Sequence, residues 1–389
     1  MVTPIIPIKV LSTSDVLYGD RVTSYRWEVL EHSNGIDHLV GVLDGVSDGS
    51  FTWNNNAAVK GGGKVEVTDL QVAEAGKMRI GELRLESVRL RPVCVIEGLP
   101  ENPLGVFLVA TATEDWDNTG RVWTLSLLDK ATVPDQDKVE ESYAVAAGVN
   151  VMQEIRSILA SAGEFIAIDD SNTTTTSTGM AWEAGTSKLQ IINDLLNVAG
   201  CNSLWVDGWG NFQATARVLP ADRNINYEIL GVPRELRDGP QSIYSPDWNR
   251  ERDSFDVPNK VLAVQAAGGE DEAALTGVWT NEDPDSPYSY ISRGRWITHV
   301  LDSVETPEGS PSEIVAFLEN RARATLVQMS SVQAQVKVSH LPIPMKVGDV
   351  VRFSHTGAGV DARHVVTRIE LSTNPLGLMK SNLQEVISL

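Results

Sequence analysis

The sequence predicts a mainly β protein with α+β insertions. Three observations carry that reading. Short strand-like runs broken by turn residues fill the first third, similar runs fill the last sixty residues, and two helix-strand units lie between them. A chain of 389 residues exceeds one compact core, so two to four domains are expected.

Over residues 5–129 the runs are VTSYRWEVL, HLVGVL, KVEVTDL, RLRPVCVIEGL, PLGVFLVATATE and RVWTLSLLD, a spacing that indicates a barrel or sandwich. Residues 114–120 join the last two, and Asp117, Asn118 and Gly120 supply hairpin-loop chemistry. VPDQDKVEES has the polarity of a linker.

Residues 149–219 change character. Asn150 with Gln153 marks a helix start, Val151, Ile155, Ile158, Leu159 and Ala162 form its apolar face, and Gly163 closes it. The strand FIAI follows, ending at Asp169 and Asp170, and then the threonine-rich loop SNTTTTSTG. The second unit, residues 182–212, reads WEAGTSKLQIINDLLNVAGCNSLWVDGWGNF. Ser187 and Gln190 stand in capping relation, Leu189, Ile192, Leu195, Leu196 and Ala199 recur at helical spacing, and Gly200 supplies a left-handed stop. SLWV and NFQATARV then form a hairpin, with positive φ expected at Asp207, Gly208 and Gly210 and with Trp205 buried beneath the helix.

Residues 221–258 are polar and turn-rich, NKVLAVQAA is a strand, and GGEDEAA and NEDPDSPYS are exposed loops. Ser310, Pro311 and Glu313 make a full helix start, which predicts a helix over 311–329. SVQAQVKVSH, VGDVVRFSH, RHVVTRIELS and KSNLQEVISL close the chain as strands. The expected division is 1–135, a first β-barrel; 136–220, an α+β domain; 221–330, a mixed peripheral region; and 331–389, strands completing a second barrel.

The hydrophobic share of 42% fits a folded protein, and no apolar run approaches the ~20 residues that cross a bilayer. The start, MVTPIIPIKV, lacks the basic and long apolar segments of a signal peptide. Cys94 and Cys201 lie in apolar text and read as core residues, with no disulfide. A net charge of −20 opposes nucleic-acid binding, which rests on Lys and Arg neutralising phosphates, but suits a surface past which DNA slides.

No motif reads as a catalytic or cofactor site. Gly45-Val46-Ser47-Asp48-Gly49 matches Gly-x-Ser-x-Gly, but that motif needs a strand-to-helix turn, and SFTWNNN after it is a poor helix start, so a β-turn is the simpler reading. Gly61-Gly62-Gly63-Lys64 lacks the earlier Gly and the later Ser or Thr of a phosphate loop and reads as a flexible turn. Asp115 to Gly120 opens like a calcium loop, but Ser126 stands where the bidentate Glu belongs. Asp135 with Asp137 and Asp283 with Asp285 read as solvated loop acids. His32, His38, His299, His340, His355 and His364 show no metal-ligand spacing, although His355 and His364 flank a hairpin and could meet across strands. Of ten tryptophans, Trp27, Trp123 and Trp205 fall in alternating strands and suit burial, whereas Trp209 and Trp248 lie in polar text and suit surface contacts.

The unit over 182–212 resembles the tail-hub (baseplate hub) family of long-tailed bacteriophages. Further features agree in order: FTWNNNAAVKGGGKVEVTDL, the stretch RLRPVCVIEGLPENPLGVFLVATATEDWDNTGRVWTLSLLDKATV, which is similar to the family's first tube-forming hairpin, and LPIPMKVGDVVRF, which is similar to its second barrel. No long appended lysin or receptor-binding region is expected of this chain. The resemblance implies two tube-type β-barrel domains with peripheral α/β domains, a homotrimer whose six barrels continue the tail tube, and no enzymatic activity, cofactor or metal. It implies a virion location after synthesis in the host cytoplasm. The implied partners are the tail tube and distal tail proteins, the tape-measure protein and receptor-binding or fibre proteins, with DNA passing the lumen unbound. Ring contacts are expected from the hairpins over 103–128 and 345–371. The alternatives are a tail-associated hydrolase using Ser47, Glu114 or Asp115, and a carbohydrate-binding module using exposed tryptophans.

Overall fold

One sheet runs through most of the chain in the computed structural model, which describes residues 16–17, 21–117, 120–166, 173–176, 179–231, 243–252, 255–265, 274–304, 306, 310–330 and 334–386. Its first half holds β1 (Thr23–Ser33), β2 (Ile36–Val42), β3 (Val46–Asn54), β4 (Gly61–Thr68), β5 (Val88–Ile96), β6 (Asn102–Pro103), β7 (Phe107–Asp117) and β8 (Gly120–Asp129). The path is β3-β4-β8-β7-β5-β1-β2, antiparallel throughout. Alternation decides which face is buried: Val65 and Val67 of β4 and Leu125 and Leu127 of β8 point inward onto Trp27, Phe51 and Phe107. The Phe51 and Phe107 ring centroids lie 4.8 Å apart. Asn34 and Gly35, at φ 51° and 77°, make the tight turn between β1 and β2.

The middle of the chain builds a helical layer: α1 (Thr132–Gln136), β9 (Tyr143–Val145), α2 (Val151–Ser161), β10 (Met180–Trp182), α3 (Lys188–Val198), β11 (Trp205–Val206) and β12 (Phe212–Gln213). Both long helices begin where the capping pattern places them. The Asn150 side chain accepts the Gln153 N–H and the Ser187 side chain accepts the Gln190 N–H. Ile155, Leu159, Leu189, Ile192, Leu196 and Phe212 form their shared core. Phe165 is exposed and Ile166 makes one parallel bridge to Phe212; the other two residues of the expected FIAI strand, with Asp169 and Asp170, lie outside the described residues. α1 occupies the start of the segment read as a linker.

β13 (Tyr227–Gly231) and β14 (Tyr244–Arg252) arise from the stretch read as turn-rich. They join the second half of the large sheet, where β13 runs parallel to a later strand. A separate three-stranded sheet follows: β15 (Lys260–Gln265), β16 (Thr276–Thr280) and, after α4 (Tyr290–Arg293), β17 (Thr298–Val304). The predicted long helix, α5 (Pro311–Ser330), covers one face of it through Leu318, Ala322 and Leu326 against Val261 and Ala263. Glu313 accepts the Ser310 N–H at 2.8 Å, the capping contact the sequence anticipates. Most of the expected GGEDEAA loop lies outside the described residues.

β18 (Ala334–His340), β19 (Val350–His355), β20 (Val360–Ser372) and β21 (Met379–Glu385) complete the large sheet. β20 is long enough to serve both halves. Its first residues pair with β19, its last pair with β3 through Ile369↔Trp53 and Leu371↔Phe51, and its register against β21 shifts between Val366 and Arg368. The two barrel-like halves are therefore one continuous sheet, and neither closes on itself among the described strands.

Gly61, Gly62 and Gly63 are not the flexible turn expected of them; they are strand residues of β4. A Cβ at Gly63 would lie 2.4 Å from Ser50 O and 2.6 Å from Phe51 Cδ1, so the residue must lack a side chain for β4 to press against β3. Gly63→Ala is expected to destabilise the chain by about 1–3 kcal/mol in urea denaturation, as overpacking does. An unchanged midpoint would show that β3 yields without strain.

Candidate functional site

Charged residues from four separate elements meet where the first half-sheet touches the helical layer. Asp37 on β2, Arg89 on β5, Lys130 after β8 and Glu164 after α2 form a closed ring of ion pairs: Arg89–Asp37 at 2.7 Å, Arg89–Glu164 at 2.7 Å, Lys130–Asp37 at 2.8 Å and Lys130–Glu164 at 2.9 Å. Lys130 also donates to Gly210 O at 3.1 Å, and His32 spans Asp37 at 2.8 Å and Gly163 O at 3.0 Å. Burial acts to raise the Asp37 pKa, but the Lys130 hydrogen bond and charge, with Arg89 and His32, outweigh it and hold the carboxyl below its ordinary value. Asp129 next door is the opposite case. Burial pushes it up to about 6, against the Ala131 N–H and the Lys60 and Lys130 charges.

The β11–β12 hairpin completes this contact. A Cβ at Gly208 would fall 2.0 Å from Pro103 O, and one at Gly210 would fall 2.5 Å from Val106 Cγ2. Gly210 alone of the three expected positions has positive φ, at 93°. Gly208 is needed for close approach instead, and Asp207 braces the turn by accepting the Trp209 and Asn211 N–H groups, each at 2.9 Å. Trp205 is not beneath the helix. Strand alternation gives that place to Leu204, and the half-buried Trp205 ring faces Lys346 Nζ at 4.5 Å.

The β7–β8 hairpin offers a free surface. β7 pairs with β5 only at Arg89↔Leu108 and Leu90↔Phe107, so beyond them its outer edge is open among the described residues. Ala110, Thr111, Ala112, Thr113, Glu114, Asp115 and Trp116 are all exposed, Trp116 to 72%. At the tip Arg121 donates to Glu114 at 2.9 Å and its guanidinium stands 5.5 Å from the Trp116 ring. Asp115 and Asp117 are strand residues, while Asn118 and Thr119 of the calcium-like run lie outside the described residues.

Other candidates are dispersed. Ser47 sits on β3, not in a strand-to-helix turn, and its hydroxyl donates to Glu66 O at 3.3 Å. His355 pairs with Val360 and His364 with Val351, so the two do not meet. Trp248 is a half-buried strand residue against Phe353 and His355, both at 5.1 Å, whereas Trp209 is exposed and stacks with Arg91 at 4.9 Å. Trp27 is buried and Trp123 half-buried under Arg121. Asp137 pairs with Lys188 at 2.6 Å, and Asp283 accepts the Asp285 N–H at 2.9 Å. Cys94 and Cys201 are both buried. Among the described residues no group of three or more His, Cys, Asp or Glu side chains could hold a metal, and no helix is long and apolar enough to cross a membrane. The ion-pair ring escaped the sequence reading. Its one sequence signal is charge inside apolar strands, in RLRPVCV and SLLDK.

No protein-family model and no curated protein matches the chain. Solved structures do. A tail protein from Neisseria meningitidis superposes with a TM-score of 0.63 at 12% identity, over 93% of this chain and 97% of that one. The 43 kDa tail protein of prophage MuSo2 from Shewanella oneidensis gives 0.59 at 13%, over 92% and 98%. This is a prophage tail-protein fold. Prophage tail protein gp18 from Listeria monocytogenes shares it, with 0.52 at 11% over 92% and 94%. The tail-protein fold thus accounts for both sheet halves and for the layers between them.

Two predictions follow from the charges. Arg89→Met leaves Asp37 and Glu164 facing each other with only Lys130 and the His32 ring beside them and is expected to cost about 3–5 kcal/mol, measured by chemical denaturation; a loss below about 1 kcal/mol would sink the clamp. Asp129 binds its proton more tightly folded than unfolded, so its contribution falls as pH rises from the ordinary 3.8 to about 6. Asp129→Asn is expected to remove that slope, worth roughly 3 kcal/mol at about 1.4 per pKa unit; parallel stability-pH curves for the two proteins would refute it.

Proposed function

We propose that the chain is a structural, non-enzymatic component of a phage tail tip. It assembles as a homotrimeric ring that continues the tail tube and connects it to the distal host-recognition apparatus. The observation that carries this reading is the likeness to prophage tail proteins over nearly the whole of both chains. The wall of the tube takes β1 to β8 and β18 to β21 together with β13 and β14, and the helical layer and the α5 unit stand outside it. The open hairpin β7–β8 and the β19–β20 hairpin supply contacts between copies. Partners along the tail axis are tube and distal tail proteins, the tape-measure protein and receptor-binding or fibre proteins. The chain works in the virion after synthesis in the host cytoplasm.

The charge supports this use. Three copies carry −60 from −20 each, and acids facing a lumen keep DNA from adhering as it passes. The placement of Ser47 at the start of strand β3, with no helix following it, favours the structural role over a hydrolase.

Light scattering of the purified chain, alone and mixed with the tail-tube protein, is expected to give three times the 42.3 kDa chain mass, and electron microscopy a ring with a central channel. A chain that stays monomeric under both conditions overturns the proposal.

A further inference from the structure

A cavity of about 560 Å³ lies between the first half-sheet, the β11–β12 hairpin and the second half-sheet. Its size falls within the range of about 300–1,000 Å³ that small-ligand sites occupy. Three polar groups on its wall have bonding capacity that the fold leaves unused. Trp53 Nε1 has no acceptor among the described residues, and Lys60 Nζ has one long bond, to Asn55 Oδ1 at 3.4 Å. Asp129, only 8% exposed, gives Oδ1 to the Ala131 N–H at 2.8 Å and leaves Oδ2 without a donor. Gly61 keeps that corner open: a Cβ there would stand 3.0 Å from Asp129 Oδ2 and 3.1 Å from Trp53 Nε1.

The mixture of charges selects the ligand. An anion suits Lys60 and Trp53 but opposes Asp129, and a cation suits Asp129 but opposes Lys60. A neutral hydroxyl donates to the carboxylate and accepts from the indole and ammonium groups, so all three groups are satisfied without an opposed charge. The remaining wall offers apolar surface at Leu104, Met345, Ile369 and Leu371, and the Trp205 ring under the exposed, movable Lys346 side chain. Several hydroxyls on a body with apolar C–H faces describe a sugar.

We propose that this cavity binds a neutral saccharide of one or two rings, with Asp129, Lys60 and Trp53 holding its hydroxyls and Trp205 lying against a C–H face. The site belongs to each single chain and does not depend on ring assembly.

The test is saturation-transfer NMR on the full chain with glucose, maltose and di-N-acetylchitobiose, followed by titration of tryptophan fluorescence. Transfer to at least one probe is expected. Lys60→Met, which keeps the stem and deletes the ammonium, is expected to weaken binding about tenfold or more, the scale of a hydrogen bond to a charged group, and Trp53→Phe, which keeps a ring and deletes the N–H, about fivefold, the scale of a neutral one. Near-UV circular dichroism checks that each variant folds, and if one does not, the other decides. Absence of transfer to all three sugars overturns the proposal, as does an unchanged midpoint in the folded variants. Tighter binding of glucuronate than of glucose overturns the neutral assignment.

Discussion

The pairing of β20 with β3 is the constraint on which the architecture rests. Separate barrels joined by a linker are free to reorient, as domains with small interfaces do. Here backbone hydrogen bonds from residues 368–372 to 50–54 make the second half-sheet an extension of the first. Any change of angle between the halves must break this ladder. The glycines of β4 serve the same junction, because β3 is held between β20 on one edge and the side-chain-free start of β4 on the other.

The helical layer is fixed by a different kind of force. Its own core is apolar, but its attachment to the first half-sheet runs through the buried ring of Asp37, Arg89, Lys130 and Glu164 and through backbone contacts of the β11–β12 hairpin. Apolar contacts tolerate small sliding. Paired charges buried together do not, since separation leaves each desolvated without its partner. The arrangement specifies one docking position for the layer, and close approach at Gly208 and Gly210 reinforces it.

Legibility in the sequence followed the range of the interactions. The helix starts at Asn150, Ser187 and Ser310 rest on contacts three residues apart and could be read directly. The main strands and the β7–β8 hairpin were legible from alternation and turn chemistry. β14 was not, because Pro246, Asp247, Asn249 and Arg250 make a partly exposed strand look like loop. Gly61 to Gly63 were read as a turn because the crowding that calls for glycine comes from β3, about twelve residues back in the chain. The ion-pair ring joins positions 37, 89, 130 and 164, and no local pattern marks residues that meet only in the folded chain. The cavity is illegible for the same reason.

The open edge of β7 also bears on how such a chain survives before it finds its neighbours. An unpaired strand with small side chains captures other strands indiscriminately unless something holds them off. At −20 per chain the repulsion between copies does so only at close range, because its reach at physiological ionic strength is about 8 Å. Copies therefore diffuse freely and meet the repulsion on approach, where only a neighbour whose complementary contacts outweigh it can pair with the edge. Net charge thus opposes indiscriminate edge pairing, and ionic strength sets how strongly it does so.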